Sequence, residues 1–239
     1  MKRDYHRWFS PRLHRDMELL VFGHSGARLI VFPTSMGKFF EWEDRGMIDV
    51  LRPSIERGQI QVYCVDSVDK ESWYADWKHP LERGERQTQY DLYVCDEVLP
   101  LSRALNGNPF LIVAGASFGA YHAVNFALRH PEVVGRVVGL SGMYHIGGFA
   151  EGQVERDVYF NSPIEYLAQE NDPRRLALLR NLSIILAVGK EDRLYDSNCR
   201  LSEILWRKDV WHALRIWDGM AHDWPYWAKM LPIYLGGSD

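Results

Sequence analysis

The stretch FLIVAGASFGAYHAVNFALRHP, residues 110–131, decides how this chain is read. It opens on FLIVA, residues 110–114, a short unbroken apolar run of the kind that forms a central strand buried on both faces. It continues as a helix over residues 117–129, with Gly119, Ala120, Ala123 and Ala127 on the inner side. Small residues there let a helix lie close against a sheet. Between the two stands Gly115-Ala116-Ser117-Phe118-Gly119, which matches G-x-S-x-G. As a bare string that pattern is weak. Set between a buried strand and a small-residue helix, it becomes the sharp turn that holds a serine hydroxyl exposed at the C-terminal edge of a sheet. The helix dipole then favours negative charge developing beside Ser117.

On either side of this segment, strand-like runs alternate with helix-like ones, the pattern of a doubly wound, mostly parallel α/β sheet. Residues 59–66 (QIQVYCVD), 136–140 (RVVGL), 183–188 (SIILAV) and 213–217 (ALRIW) read as further strands. Residues 17–23 and 28–35 flank His24-Ser25-Gly26-Ala27 and read as an antiparallel N-terminal hairpin with Gly26 in its turn. Helices are expected over 43–58, where Met47, Ile48, Leu51 and Ile55 make an apolar stripe, and over 90–105, 197–208 and 224–235. Pro100 leaves the end of the second of these open. Residues 67–86 show no period and read as a long surface loop. Residues 144–181 exceed a bare connection and read as a small cap, with a helix started by the capping box Ser162-Pro163-Ile164-Glu165. No repeat or linker divides residues 1–239, so a single domain is expected.

Composition narrows the function classes. At 46% hydrophobic and 25% charged residues, usage is that of an ordinary globular protein. The net charge of −4, with both signs mixed along the chain, gives no basic stripe of the kind a nucleic-acid binder needs. No segment reaches the ~18 consecutive apolar residues of a membrane span, and no apolar stretch of signal-peptide length precedes Met17. Cys64, Cys95 and Cys199 are odd in number and far apart, which reads as reduced thiols in a cytoplasmic protein. The nine histidines include no HxxxH or HExxH pair, so no metal site is expected.

A serine hydroxyl needs a base to take its proton and a carboxylate to orient that base. After SIILAV comes Gly189-Lys190-Glu191-Asp192, which places an acid just past a strand end. Glu191 and Asp196 are rivals. Asp192 is preferred because the third position past the glycine gives the chain room to turn back over the sheet edge. After ALRIWDG comes Met220-Ala221-His222-Asp223-Trp224, which puts a histidine between the last strand and the last helix. His212 precedes that strand and should lie at the far side of the sheet. For the oxyanion, one donor is the N–H of Phe118, and Pro33-Thr34-Ser35-Met36-Gly37 offers a second from Ser35 or Met36. Aromatics near the same edge, Trp73, Tyr74 and Trp77 after one strand and Trp224, Tyr226 and Trp227 after His222, could wall a substrate pocket together with Ser67 and Met36.

With these residues in view, the chain resembles the putative-esterase family of α/β-hydrolases, which includes S-formylglutathione hydrolases, feruloyl and other carbohydrate esterases, and mycolyltransferases. The resemblance spans nearly the full length. It is most specific in GASFGAYHAVNFALRHP around Ser117, VGKED at Asp192 and GMAHDWPYW at His222. It implies a triad of Ser117, Asp192 and His222, oxyanion donors at Phe118 and Ser35, a small-molecule ester as substrate and no cofactor. Many relatives have a glycine just before the second donor, where this chain has Thr34. An acyltransferase or thioesterase would use the same triad. A non-catalytic scaffold of this fold commonly lacks one triad residue, and here all three are present.

Overall fold

The computed structural model describes residues 1–236. In chain order its strands are β1 (Arg3–Ser10), β2 (Arg15–Phe22), β3 (Ala27–Phe32), β4 (Ile60–Val65), β5 (Leu111–Ala116), β6 (Arg136–Leu140), β7 (Ser183–Gly189) and β8 (Ala213–Trp217). Its helices are α1 (Glu41–Asp44), α2 (Met47–Glu56), α3 (Pro80–Tyr93), α4 (Leu99–Leu105), α5 (Phe118–Arg129) and α6 (Gly147–Ala150). These are followed by α7 (Arg156–Tyr159), α8 (Pro163–Gln169), α9 (Pro173–Arg180), α10 (Tyr195–Arg207) and α11 (Trp224–Leu235). The strands make one eight-stranded sheet in the order β1-β2-β4-β3-β5-β6-β7-β8. β2 pairs antiparallel with β1 and with β4, and every other neighbouring pair is parallel.

The unbroken apolar strands follow from cover on both faces. Ile30, Leu111, Val113, Ile184 and Leu186 enter one core with residues of α5 and α10. Their neighbours Leu29, Val31, Ile112, Ala114, Ile185 and Ala187 enter a second core with α2 and α11. Strand side chains alternate between faces, so a strand sandwiched by helices has no polar side to show. No described helix is long and apolar enough to cross a membrane.

The structure corrects three local expectations. The hairpin is formed by β1 and β2, whereas the two segments expected to pair, residues 17–23 and 28–35, are separated in the sheet by β4. Gly26, at φ +94°, packs so closely that a Cβ would stand 2.2 Å from the Gln59 carbonyl carbon. The chain there passes tightly beside the start of β4, and β3 runs parallel to β4 and β5. The expected loop over 67–86 ends early, because α3 begins at Pro80 under a capping box of His79 and Glu82. Its buried face includes Arg83, Gln87 and Asp91 beside Tyr90 and Tyr93, so hydrophobic periodicity gave no sign of it. The helix then passes through a π-helical turn, Val94–Val98, into α4, and Pro100 falls in the first turn of that new segment. Finally, α8 starts with Pro163 as expected, but Ser162 makes no capping bond and its Oγ is buried without a partner.

Candidate active site

All the parallel strands point one way, so the loops after β5, β7 and β8 meet at one edge of the sheet. Ser117 occupies the turn between β5 and α5 at φ +54°, ψ −120°, a conformation costly for any residue with a side chain. The turn is held by the Ser117 N–H, which donates to Leu140 O at 2.8 Å. A Cβ on Gly115 would lie 2.1 Å from Gly119 O, and one on Gly119 would lie 2.5 Å from both Phe32 O and Pro33 O. Both glycines are therefore set by close approach of strand and helix.

After β7, the Asp192 N–H donates to Gly189 O at 3.1 Å, folding the acid back over the sheet edge. Glu191 N–H donates to Gly219 O at 3.0 Å, which ties this turn to the loop carrying His222. Ala221, at φ +47°, aims His222 inward. His222 Nδ1 lies 2.8 Å from Asp192 Oδ2, and His222 Nε2 lies 3.1 Å from Ser117 Oγ. Burial disfavours the Asp192 charge, but hydrogen bonds from His222 and from Leu194 N–H outweigh it and hold the carboxyl below the usual range. An ionised Asp192 accepts from Nδ1–H, which leaves Nε2 free to accept the serine proton. Neither Glu191 nor Asp196 bonds to His222. His212 lies before β8, buried between Ser202 and Val210 O, as its position in the chain implied.

Beside Ser117 lies a cavity of about 370 Å³ lined by Ser35, Tyr74, Phe118, Met143, Phe149, Arg193 and Leu194. Phe118 is the first residue of α5, where helical N–H groups lack an intrahelical acceptor. In the facing loop, Thr34 N–H donates to Glu41, Met36 N–H to Asp69 and Gly37 N–H to Thr34 O. Among the described residues, Ser35 N–H has no such acceptor. Tyr74 Oη–H donates to Ser35 Oγ at 2.8 Å, and burial pushes the Tyr74 phenol up, so it stays a donor.

Of the side chains expected to wall a pocket, Tyr74 lines this cavity, and the others are not among its lining residues. Trp73 is fully buried and bonds through Nε1 to Tyr121 Oη, packing beneath Phe118. Ser67 is buried, with its Oγ on Gly37 O. Trp224 stacks edge-on against Trp42 and Trp227, and Met36 has an exposed side chain that does not line the cavity. Packing of the neighbouring loops claims Ser67, Trp73 and Trp224. Arg193 and Leu194 directly follow the acid and could have been inferred from that position. Met143 and Phe149 carry no comparable signal, since only the folded chain brings the segment after β6 to the cavity beside Ser117. Asp91, Cys95 and His130 bring three potential ligand atoms within 4.8 Å at the opposite end of α5. There Arg129 stands 3.3 Å from Asp91, and the group acts as an ion-pair cluster joining α3 to α5.

A mostly parallel sheet wrapped by helices, with Ser117 on a strained strand-to-helix turn and an acid and a histidine following in that order, defines an α/β-hydrolase. A sequence profile described as "Putative esterase" matches residues 42–236, and the chain belongs to that family. The fold is similar to that of a ferulic acid esterase at 22% identity, covering 96% of this chain and 95% of that one with a TM-score of 0.77. It is also similar to an S-formylglutathione hydrolase from Agrobacterium tumefaciens, at 14% identity, 98% and 93% coverage and a TM-score of 0.74. The S-formylglutathione hydrolase of Staphylococcus aureus aligns at 18% identity over 98% and 97% of the two chains, with a TM-score of 0.63. At these identities the likeness is one of fold. No curated protein matches the chain.

Proposed function

We propose that this protein is a serine carboxylesterase that hydrolyses short-acyl esters through an acyl-Ser117 intermediate. The observation that carries the reading is the unbroken hydrogen-bond line from Asp192 through His222 to Ser117. Ser117 Oγ attacks the ester carbonyl while His222 Nε2 takes its proton. The tetrahedral oxyanion is met by the N–H groups of Phe118 and Ser35. Its collapse breaks the bond to the alcohol, which leaves with the proton held by His222. Water then attacks the acyl-serine with His222 again as base, releasing the carboxylic acid and restoring Ser117. Asp192 orients the imidazole throughout and stabilises its cationic form. Tyr74, Phe118, Met143, Phe149 and Leu194 give the cavity an apolar, partly aromatic wall. With no long lid insertion to extend this wall into a channel, the cavity is assigned an acetyl to butyryl group in preference to a fatty chain. Membership of the esterase family accords with an ester as substrate.

Two measurements test this. Ser117→Ala should abolish fluorophosphonate labelling and lower p-nitrophenyl acetate hydrolysis on the order of 10⁴–10⁶-fold while the fold survives. A variant that kept about a tenth of the wild-type rate would remove Ser117 as nucleophile. Across acetate, butyrate, octanoate and palmitate esters, kcat/KM should peak at acetate or butyrate. A maximum at octanoate or beyond would overturn the short-acyl reading and favour a lipid acyl donor.

A further inference from the structure

A second acid–histidine pair lies under the active site, outside the triad. Asp69, on the loop after β4, has no exposed surface, and His122, on α5, is 3% exposed. Asp69 Oδ1 is 2.8 Å from His122 Nε2, and its Oδ2 accepts from Met36 N–H at 2.8 Å. Gln87 Nε2 faces His122 Nδ1 at 3.2 Å, and Ser72 Oγ faces Gln87 Oε1 at 3.5 Å. With Gln87 donating, Nδ1 is the acceptor and Nε2–H points at Asp69.

The placement of this pair is what gives it meaning. Met36 sits at φ +57°, so its N–H points where no regular ladder can receive it. It is the residue after Ser35, which lines the cavity beside Ser117 and whose N–H has no acceptor among the described residues. The His122 ring also meets the Phe118 ring edge-on at 5.0 Å and stacks on Phe32 at 5.9 Å. One buried carboxyl group thus joins the loop of one oxyanion donor to the helix of the other. Ser67 Oγ on Gly37 O and Lys38 on Asp66 brace the same loop from the same side. A buried polar pair is costly where apolar packing would do, and it is retained where it specifies one arrangement.

We infer that Asp69, held by His122, is a positioning residue that fixes the Ser35–Met36 backbone so that the oxyanion hole is formed before substrate arrives. This rests on the esterase reading of Ser117, and wild-type turnover and fluorophosphonate labelling test that reading separately. The inference itself is tested by ratios among variants. Asp69→Ala removes the acceptor of Met36 N–H, and kcat for p-nitrophenyl acetate should fall on the order of 10²–10³-fold with KM nearly unchanged. Affinity for a boronic acid, which mimics the tetrahedral intermediate, should fall in step with kcat/KM. Asp69→Asn keeps a carbonyl oxygen for Met36 N–H and can donate to His122 in its other tautomer, so it should restore most of kcat. His122→Phe should lose kcat as Asp69→Ala does, and His122→Gln, which keeps an N–H near the Nε2 position, should recover it. A folded Asp69→Ala or His122→Phe protein with wild-type kcat would overturn the inference. So would a loss confined to KM, a loss that the conservative variants fail to recover, or collapse of the fold at both positions, which would make the pair a fold determinant only.

Discussion

The carboxyl group of Asp192 has no exposed surface and yet stays ionised to lower pH than an exposed one, because its lone pairs are taken by His222 and the Leu194 N–H. Its depressed value stabilises the folded state above the unfolded carboxyl pKa of about 3.9, and that contribution is lost as pH falls through the folded value. In the proposed mechanism its task is to keep the Nδ1 hydrogen in place. Asp192→Asn should therefore lower kcat/KM for p-nitrophenyl acetate by on the order of 10⁴-fold, since an amide no longer dictates which nitrogen is the base. Glu191→Gln and Asp196→Asn should retain most activity. Collapse in Asp196→Asn beside a near-normal Asp192→Asn would transfer the role. Ser117, Asp192 and His222 were legible in the chain because each stands a few residues past the end of a recognisable strand. Asp69 and His122 were not, because nothing in DSVDKESWY or GAYHA marks two residues that meet only after β4 and α5 are packed.

At the scale of elements, the distance between α5 and the end of β3 sets the site. Gly119 lets the first turn of α5 touch Phe32 O and Pro33 O, and the loop with Ser35 leaves from that point. A methyl group there meets backbone, which cannot rotate aside. Gly119→Ala should cost about 1–3 kcal/mol of stability, read as a lower melting temperature, and should reduce kcat by shifting the oxyanion loop. Wild-type turnover together with wild-type melting would refute that account of the contact. The buried strands and α11 could be read from apolar runs and spacing. Two of the elements that escaped did so for opposite reasons. β1, RDYHRWFS, is an edge strand that exposes Tyr5 and Phe9 beside Arg3 and Arg7 and so shows no apolar–polar alternation, and α3 hides a polar buried face, with Arg83 donating to the carbonyls of Asp76, Lys78 and Phe149.

For the whole molecule, stability should depend on acidity through His212 as well. Burial lowers its pKa, only partly offset by the bond to Val210 O. An unfolded histidine takes a proton near pH 6.5, by the usual value of about 6.5, while the folded one still refuses it. Stability is then full above that pH and falls as pH drops toward the lower folded value. The urea midpoint should decline on acidification from neutral pH, and the slope should be shallower in His212→Gln. Equal slopes would assign the decline to other groups. The doubly wound architecture was readable from the alternation of strands and helices, but strand order was not, because the Gly26 turn fits a hairpin as well as it fits the crossing that puts β4 between β2 and β3.

That strand order also governs how the chain reaches its folded state. Only β1 and β2 can zip from a short turn, and every other ladder joins segments held apart by a helix or by another strand. Loop-closure entropy has to be met before such contacts reward it, which makes them slow to form. Ser117 and His222 are separated by three successive crossovers, from β5 through β6 and β7 to β8. A chain caught part-way can possess its strained serine turn with no base to serve it. Under the proposed mechanism, Ser117 gains its base only once all three crossovers are in place.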